Sequence, residues 1–204
     1  MGRVAVGLSM SLDGFIAGPN DGPEQPLGEG GERLFAWYSG GETEYRLPGT
    51  EMVFSVSPQS AELLRKAHGA MGAFVTGRRT FDITNGWGGS PPLGVPAFVV
   101  THTVPQEWVY EGSPFTFVTD GVDSAVERAK AVAGDKDVAV GAASIAQQCL
   151  QAGLLDEIHI DLVPVLLGDG VRLFDHLGTG PIELQRSRVI EAPDVTHLTF
   201  RVVK

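Results

Sequence analysis

Residues 4–9 form a nearly unbroken apolar run, the pattern of a buried strand, and similar runs recur at 73–76, 95–101, 115–119 and 137–140. Between them the apolar positions change to helical spacing. Ser57 followed by Pro58 opens a helix to about residue 67 with Leu63 and Leu64 facing inward, and His68-Gly69 closes it. Asp123 is placed to cap a helix that carries Val126, Ala129 and Val132 or Ala133 along one side. Ser144, with Gln147 three positions on, reads as a capping box, and Gly153 as the stop of that helix. Strands alternating with helices predict an α/β fold built on an open sheet. Residues 157–163 alternate, with Ile158, Ile160 and Leu162 on one face and His159 and Asp161 on the other. The chain ends in two antiparallel strands, 182–190 and 195–203, joined at Ala192-Pro193-Asp194, with Leu198, Phe200 and Val202 inward.

Three stretches break the pattern. Residues 10–23 hold Asp-Gly and two Gly-Pro pairs, the mark of a long loop, yet Phe15 and Ile16 within it suit a lid lying over something, or side chains plugging the core edge. Residues 28–41 contain a short helix whose Phe35 and Trp37 either line a pocket for a flat heterocycle or belong to the core. Residues 42–50 are polar and read as an insertion.

Composition narrows the class. The 204 residues, 43% hydrophobic and 20% charged, suit a single domain over 1–204 with a continuous core. A formal net charge of -10 disfavours nucleic acid and anionic membrane as partners, so any phosphate site must be built from local positive groups. Cys149 is the one cysteine, which excludes an internal disulfide and a cysteine-rich zinc site; no metal is expected. No apolar run is long enough to cross a bilayer, and residues 4–8 follow Met1 too closely for a signal peptide, so a cytoplasmic protein is expected.

Two turns carry candidate chemistry. Thr76-Gly77-Arg78-Arg79-Thr80 joins a strand to a helical turn opened by a hydroxyl, and exposed amides beside two guanidiniums suit a phosphate. An ordinary turn with Thr80 as cap and solvated arginines is the level alternative. Gly141-Ala142-Ala143-Ser144-Ile145 is a second strand-to-helix turn, whose small residues let a ligand lie against the backbone or simply allow tight packing. Thr101-His102 follows a third strand end, where ligands sit in open α/β sheets. Asp161 projects from its strand either into a cleft, as an acid or a substrate ligand, or towards helix ends as a structural acceptor.

In order along the chain, Ser11-Leu12-Asp13-Gly14-Phe15-Ile16-Ala17, Thr76-Gly77-Arg78-Arg79-Thr80-Phe81, Val140-Gly141-Ala142-Ala143, and Gly153-Leu154-Leu155-Asp156-Glu157-Ile158 leading to Pro164-Val165-Leu166-Leu167-Gly168 resemble the dihydrofolate reductase-like fold. Within that fold they are most similar to the C-terminal reductase domain of the bifunctional riboflavin-biosynthesis deaminase-reductase. The resemblance implies a three-layer α/β/α architecture with a mixed central sheet and a C-terminal antiparallel hairpin, NADPH as hydride donor, a small heterocyclic substrate, and a homodimer as the assembly to expect. By motif, Ser9, Ile16 and Ala17 border the nicotinamide. Gly77, Arg78, Arg79 and Thr80 hold phosphates, Thr101 and His102 lie near the adenosine, and Gly141, Ala142, Ala143, Ser144 and Ile145 cover the other phosphate. Asp13, Phe35 and Trp37 fall in the substrate pocket, with Asp161 as proton donor. The sequence departs from the family in carrying Val140 where an acidic residue precedes the glycine pair, and Ala142 in place of the second glycine. A homologue that binds a nucleotide without turning over a substrate is the other reading.

Overall fold

Val4, Val6, Val75, Val99 and Val138 are wholly shielded from solvent. The strands that carry them share one sheet in the computed structural model, which describes residues 2–178 and 180–204. The chain runs β1 (Val4–Ser11), β2 (Phe15–Ala17), a 3-10 segment (Gly31–Ser39), β3 (Thr43–Arg46), β4 (Val53–Val56), α1 (Pro58–Ala70), β5 (Met71–Gly77) and α2 (Arg78–Ile83). It continues through β6 (Ala97–Val100), β7 (Phe115–Val118), α3 (Val122–Ala133), β8 (Asp137–Val140), α4 (Ala143–Gln151), β9 (Glu157–Val163), β10 (Val171–Arg172), β11 (Leu184–Ala192) and β12 (Val195–Val202). The main sheet has eight strands in the order β11-β12-β9-β1-β8-β5-β6-β7. Strands β9 to β7 of that order run parallel; β12 pairs antiparallel with both β9 and β11, which makes the sheet mixed and closes it with the C-terminal hairpin.

Alternation along each strand feeds two apolar layers. Ala73 and Val75 pack with Val4 and Val6 beneath Val126 and Ala129 of α3 and Ile145, Ala146 and Cys149 of α4. On the other face, Leu34 and Trp37 of the 3-10 segment meet Ala61 and Leu64 of α1. A third cluster there gathers Phe74, Phe81, Ala97, Val99 and Phe115, with Trp87 and Trp108 set edge-on to Phe81. Burying Phe81 alone contributes roughly 1.5–3 kcal/mol.

The helix starts differ from the sequence reading. Ser57 does cap α1 by accepting from the Ser60 amide, but that helix runs on to Ala70. The other three caps are Gly77, Gly121 and Ala142, none with a side-chain cap bond, and Thr80, Asp123 and Ser144 lie inside their helices. Gln147 does not reach back to close a capping box; its amide donates to the Arg172 and Leu173 carbonyls, tying α4 to β10. Residues 43–56 form a hairpin, β3 on β4, whose Tyr45 and Val56 turn into the core. Part of the long loop is also a strand, since β2 pairs with β10. No described helix is long and apolar enough to cross a membrane.

Candidate active site

Parallel strands end on the same side of a sheet, so the turns after β5, β6 and β8 open into one cleft, a cavity of about 860 Å³. From β5 and α2 it receives Gly77, Arg78, Arg79 and Thr80, from the end of β6 Thr101 and His102, and from the β8–α4 turn Gly141 through Ile145. Ile16 and Ala17 of β2 form its far wall. The two small-residue turns are neighbours: the Gly141 amide donates to the Val75 carbonyl at 3.0 Å, and Thr76 Oγ1 donates to the Gly141 carbonyl at 2.9 Å. Ala142 enters α4 in extended conformation, and no side chain caps the first turn. That leaves the first amides of α4 and the positive end of its dipole directed at the cleft.

The two arginines are held differently. Arg78 Nε donates to Asp82 Oδ1 at 2.7 Å and its Nη1 to the Thr103 carbonyl at 2.7 Å, so it bridges α2 to the loop after β6. Arg79 is more exposed, and its Nη2 donates to both the carbonyl and the carboxylate of Asp21. Asp21 belongs to a loop folded across the cleft mouth, with Pro26 and Leu27 also on the lining. The loop is pinched at its base, where Gly18 N–H donates to the Leu27 carbonyl and Glu29 N–H to the Pro19 carbonyl. A Cβ on Gly28, whose φ is +67°, would sit 2.2 Å from the Gly18 carbonyl oxygen, so only glycine closes this crossing.

A second cavity, about 310 Å³, lies between the sheet and α1 and meets the first at Leu8, Phe35 and Gly141. Strand register builds its floor. Ser9 of β1 sits opposite Asp161 of β9, which sits opposite His197 of β12; one step along, Gly7, His159 and Thr199 make a parallel row. Gly7 in that row carries no side chain, which leaves room above the floor. Asp161 Oδ1 is 2.6 Å from His197 Nδ1, and His197 Nε2 is 2.8 Å from Ser60 Oγ on α1. Tyr38, His68 and Phe74 also line the cavity. Burial pushes the Tyr38 hydroxyl well above its ordinary range, reinforced by the nearby Asp161 charge, so it stays protonated. Burial also pulls His68 and His159 below the usual histidine value, against the opposing charges of Asp161 and, at His159, Glu157 first.

Not every expected residue reaches the cleft. Ser9 faces the second cavity, where its hydroxyl accepts from Trp37 Nε1 at 3.1 Å. Trp37 itself is buried behind that contact and lines neither cavity, so its place in a substrate pocket is corrected to a core role; Phe35 lines both cavities. Asp13 is likewise corrected. Its carboxylate accepts from Ser11 Oγ at 2.6 Å and from the Leu167 and Gly168 amides, clamping the loop after β1 to the loop after β9. Those bonds, the Ser11 one foremost, hold its pKa at about 2 against an ordinary 3.8. A depressed carboxylate stabilises the fold fully above its unfolded value and ceases to as pH falls through the folded one. Asp13→Asn is therefore expected to lower the thermal midpoint at pH 6, with the gap to the parent closing as pH drops from 3.8 towards 2. A gap unchanged over that range in a melting series would remove the clamp from this account. The sequence reading gave no site role to Ser60, His68 or His197 and chose Phe35 and Trp37 over Tyr38; their only signal was polar residues at otherwise inward positions.

A family model for the RibD C-terminal domain matches residues 3–197. The chain belongs to that family. A search of curated proteins found no match. Among solved structures, a protein with a suggested role in riboflavin biosynthesis from Shewanella sp. PV-4 superposes with a TM-score of 0.70 at 22% identity, covering 100% of both chains. A pyrimidine reductase-like protein from Corynebacterium diphtheriae gives 0.59 at 13% identity, covering 100% of this chain and 92% of that one. The diaminohydroxyphosphoribosylaminopyrimidine deaminase/5-amino-6-(5-phosphoribosylamino)uracil reductase of Thermotoga maritima gives 0.61 at 11% identity, covering 99% of this RibD C-terminal domain and 57% of that chain. At these identities the likeness establishes the shared fold.

Proposed function

We propose that this RibD C-terminal domain is an NADPH-dependent reductase that delivers hydride to a C=N or C=O bond of a small pterin- or pyrimidine-like ring. The observation that carries the reading is the meeting of two cavities of unlike chemistry at Leu8, Phe35 and Gly141. One is long and furnished for phosphates; the other is small, aromatic and acidic.

The residues of the first cavity fit a dinucleotide. Arg79 stands at the mouth for the adenosine-side phosphate, with Arg78 beside it, and a bidentate guanidinium there favours NADPH over NADH. The uncapped start of α4, with Ser144 and Ile145, suits the pyrophosphate, and Thr101 and His102 flank the place of the adenosine. Ile16 and Ala17 offer an apolar wall to the nicotinamide. When bound, NADPH supplies the hydride. The chain's part is to bring donor and acceptor face to face, to exclude water with the 18–28 loop, and to hold a carboxyl group, Asp161, at the acceptor's side.

Trp87 lines the first cavity. NADPH is expected to quench tryptophan emission by energy transfer to the dihydronicotinamide, and NADPH absorbance is expected to fall when an oxidised pterin or an aminopyrimidine substrate is added. Quenching without turnover across both substrate types would leave a nucleotide-binding module. Absence of quenching would remove the reductase reading.

A further inference from the structure

We infer that the second cavity takes a flat, phosphate-free ring that presents an N–H group to Asp161 and packs against Phe35, Tyr38 and Phe74. The inference deepens the reductase reading by naming its substrate class, and it rests on that reading for the ring's role as hydride acceptor. Ring binding itself is measured without turnover.

The orientation of Asp161 is fixed from below. Ser57 Oγ donates to Ser60 Oγ at 2.9 Å, Ser60 Oγ lies 2.8 Å from His197 Nε2, and His197 Nδ1 lies 2.6 Å from Asp161 Oδ1. Every member of this chain except the carboxylate itself is buried. One oxygen of Asp161 is thus engaged by a buried, fixed imidazole. The other, Oδ2, accepts no hydrogen bond from any described residue and belongs to a group on the cavity lining. A carboxylate oxygen held in place with no partner is an acceptor waiting for a ligand's donor. The Tyr38 hydroxyl, protonated and without a partner among the described residues, adds a donor on the same lining. Acceptor and donor together complement a ring edge that carries both N–H and C=O, as in a pyrimidinedione or a pterin.

Charge then excludes a phosphate. No lysine or arginine lines this cavity among the described residues, its one acidic side chain is Asp161, and burial disfavours the charged form of His68 and His159. A phosphate carries nearly two negative charges and needs cationic or amide partners. The volume, about 310 Å³, is at the small end for ligand sites and suits a ring better than a ring bearing ribose phosphate.

The test compares 5,6-diaminouracil with 5-amino-6-(5-phosphoribosylamino)uracil by calorimetry on the full chain. The bare ring is expected to bind, the phosphoribosyl compound to bind no tighter, and Asp161→Asn, which replaces the free oxygen by an amide donor or disturbs the His197 pair, to weaken ring binding at least tenfold. Tyr38→Phe, which leaves the Asp161–His197 pair intact, is expected to weaken it several-fold. A phosphoribosyl compound that binds ten times tighter than the ring, no binding of the ring, or unchanged affinity in both variants would overturn the inference. NADPH quenching, run in parallel, separates the failures: ring binding without NADPH binding sinks the reductase reading alone, whereas NADPH binding without ring binding sinks this inference alone.

Discussion

Arg79→Ala is expected to weaken NADPH binding by roughly ten- to hundredfold while leaving NADH binding nearly unchanged. The magnitude follows from losing a hydrogen-bonded contact to a charged group, about 1.5–3 kcal/mol, with each 1.4 kcal/mol worth tenfold. Arg79 is the right residue because its side chain is 67% exposed at the cleft mouth and its bonds go to Asp21 in the loop across that mouth, not to its own helix. Asp21 currently occupies that guanidinium, so a phosphate must displace a carboxylate to reach it. Asp21→Asn is accordingly expected to tighten NADPH several-fold and to lose that gain at high salt. Arg78 behaves differently. Its guanidinium spans Asp82 and the Thr103 carbonyl, so Arg78→Ala should lower both NADPH affinity and the thermal midpoint. Fluorescence titrations with both nucleotides measure each effect. An NADPH-to-NADH preference untouched by Arg79→Ala would mean that the extra phosphate does not sit at α2.

Much of this arrangement is visible along the chain because it rests on local pattern. The apolar runs that become β1, β5, β6, β7 and β8, and the alternation of β9, reflect burial on two faces or one, which the sequence records directly. Gly77 and Gly141 could be paired as neighbouring strand ends because each stands between a buried run and a helix start. Helix caps were misread for a physical reason. A strand that passes straight into a helix at Gly77 or Ala142 needs a small residue in extended conformation at the cap, so the hydroxyls that look like caps lie inside the first turn. The β3–β4 hairpin escaped because only Tyr45 and Val56 of its residues are buried, too few to show alternation amid Glu44, Arg46 and Glu51.

The second cavity was illegible for a different reason. Asp161 meets His197 through the β9–β12 register and Ser60 through the packing of α1, separations of 36 and, from His197 to Ser60, 137 residues. Register is a tertiary choice, since a shift by one residue would turn His197 to the opposite face. Asp13 illustrates the converse. The family resemblance put Asp13 in the substrate pocket, but two amides from residues more than 150 positions away consume its carboxylate.

Gly141→Ala is expected to lower stability by about 1–3 kcal/mol and to cut turnover by more than tenfold. A Cβ at Gly141 would lie 2.2 Å from Cε2 and Cζ of Phe74, well inside contact distance, and the backbone there is pinned by the Val75 and Thr76 bonds. The ring must therefore move. It is 94% shielded and already meets Trp87 edge-on, so the open direction is the second cavity that it lines. Displacement there narrows the space for a substrate ring at the junction with the first cavity, which is why turnover falls further than NADPH affinity. Phe74→Leu combined with Gly141→Ala separates this from general damage. A smaller side chain relieves the overlap, so the double variant should be more stable than Gly141→Ala alone by a coupling of about 1 kcal/mol or more, measured by denaturant unfolding. Additive effects of the two substitutions would place the cause of any loss somewhere other than the Phe74 ring.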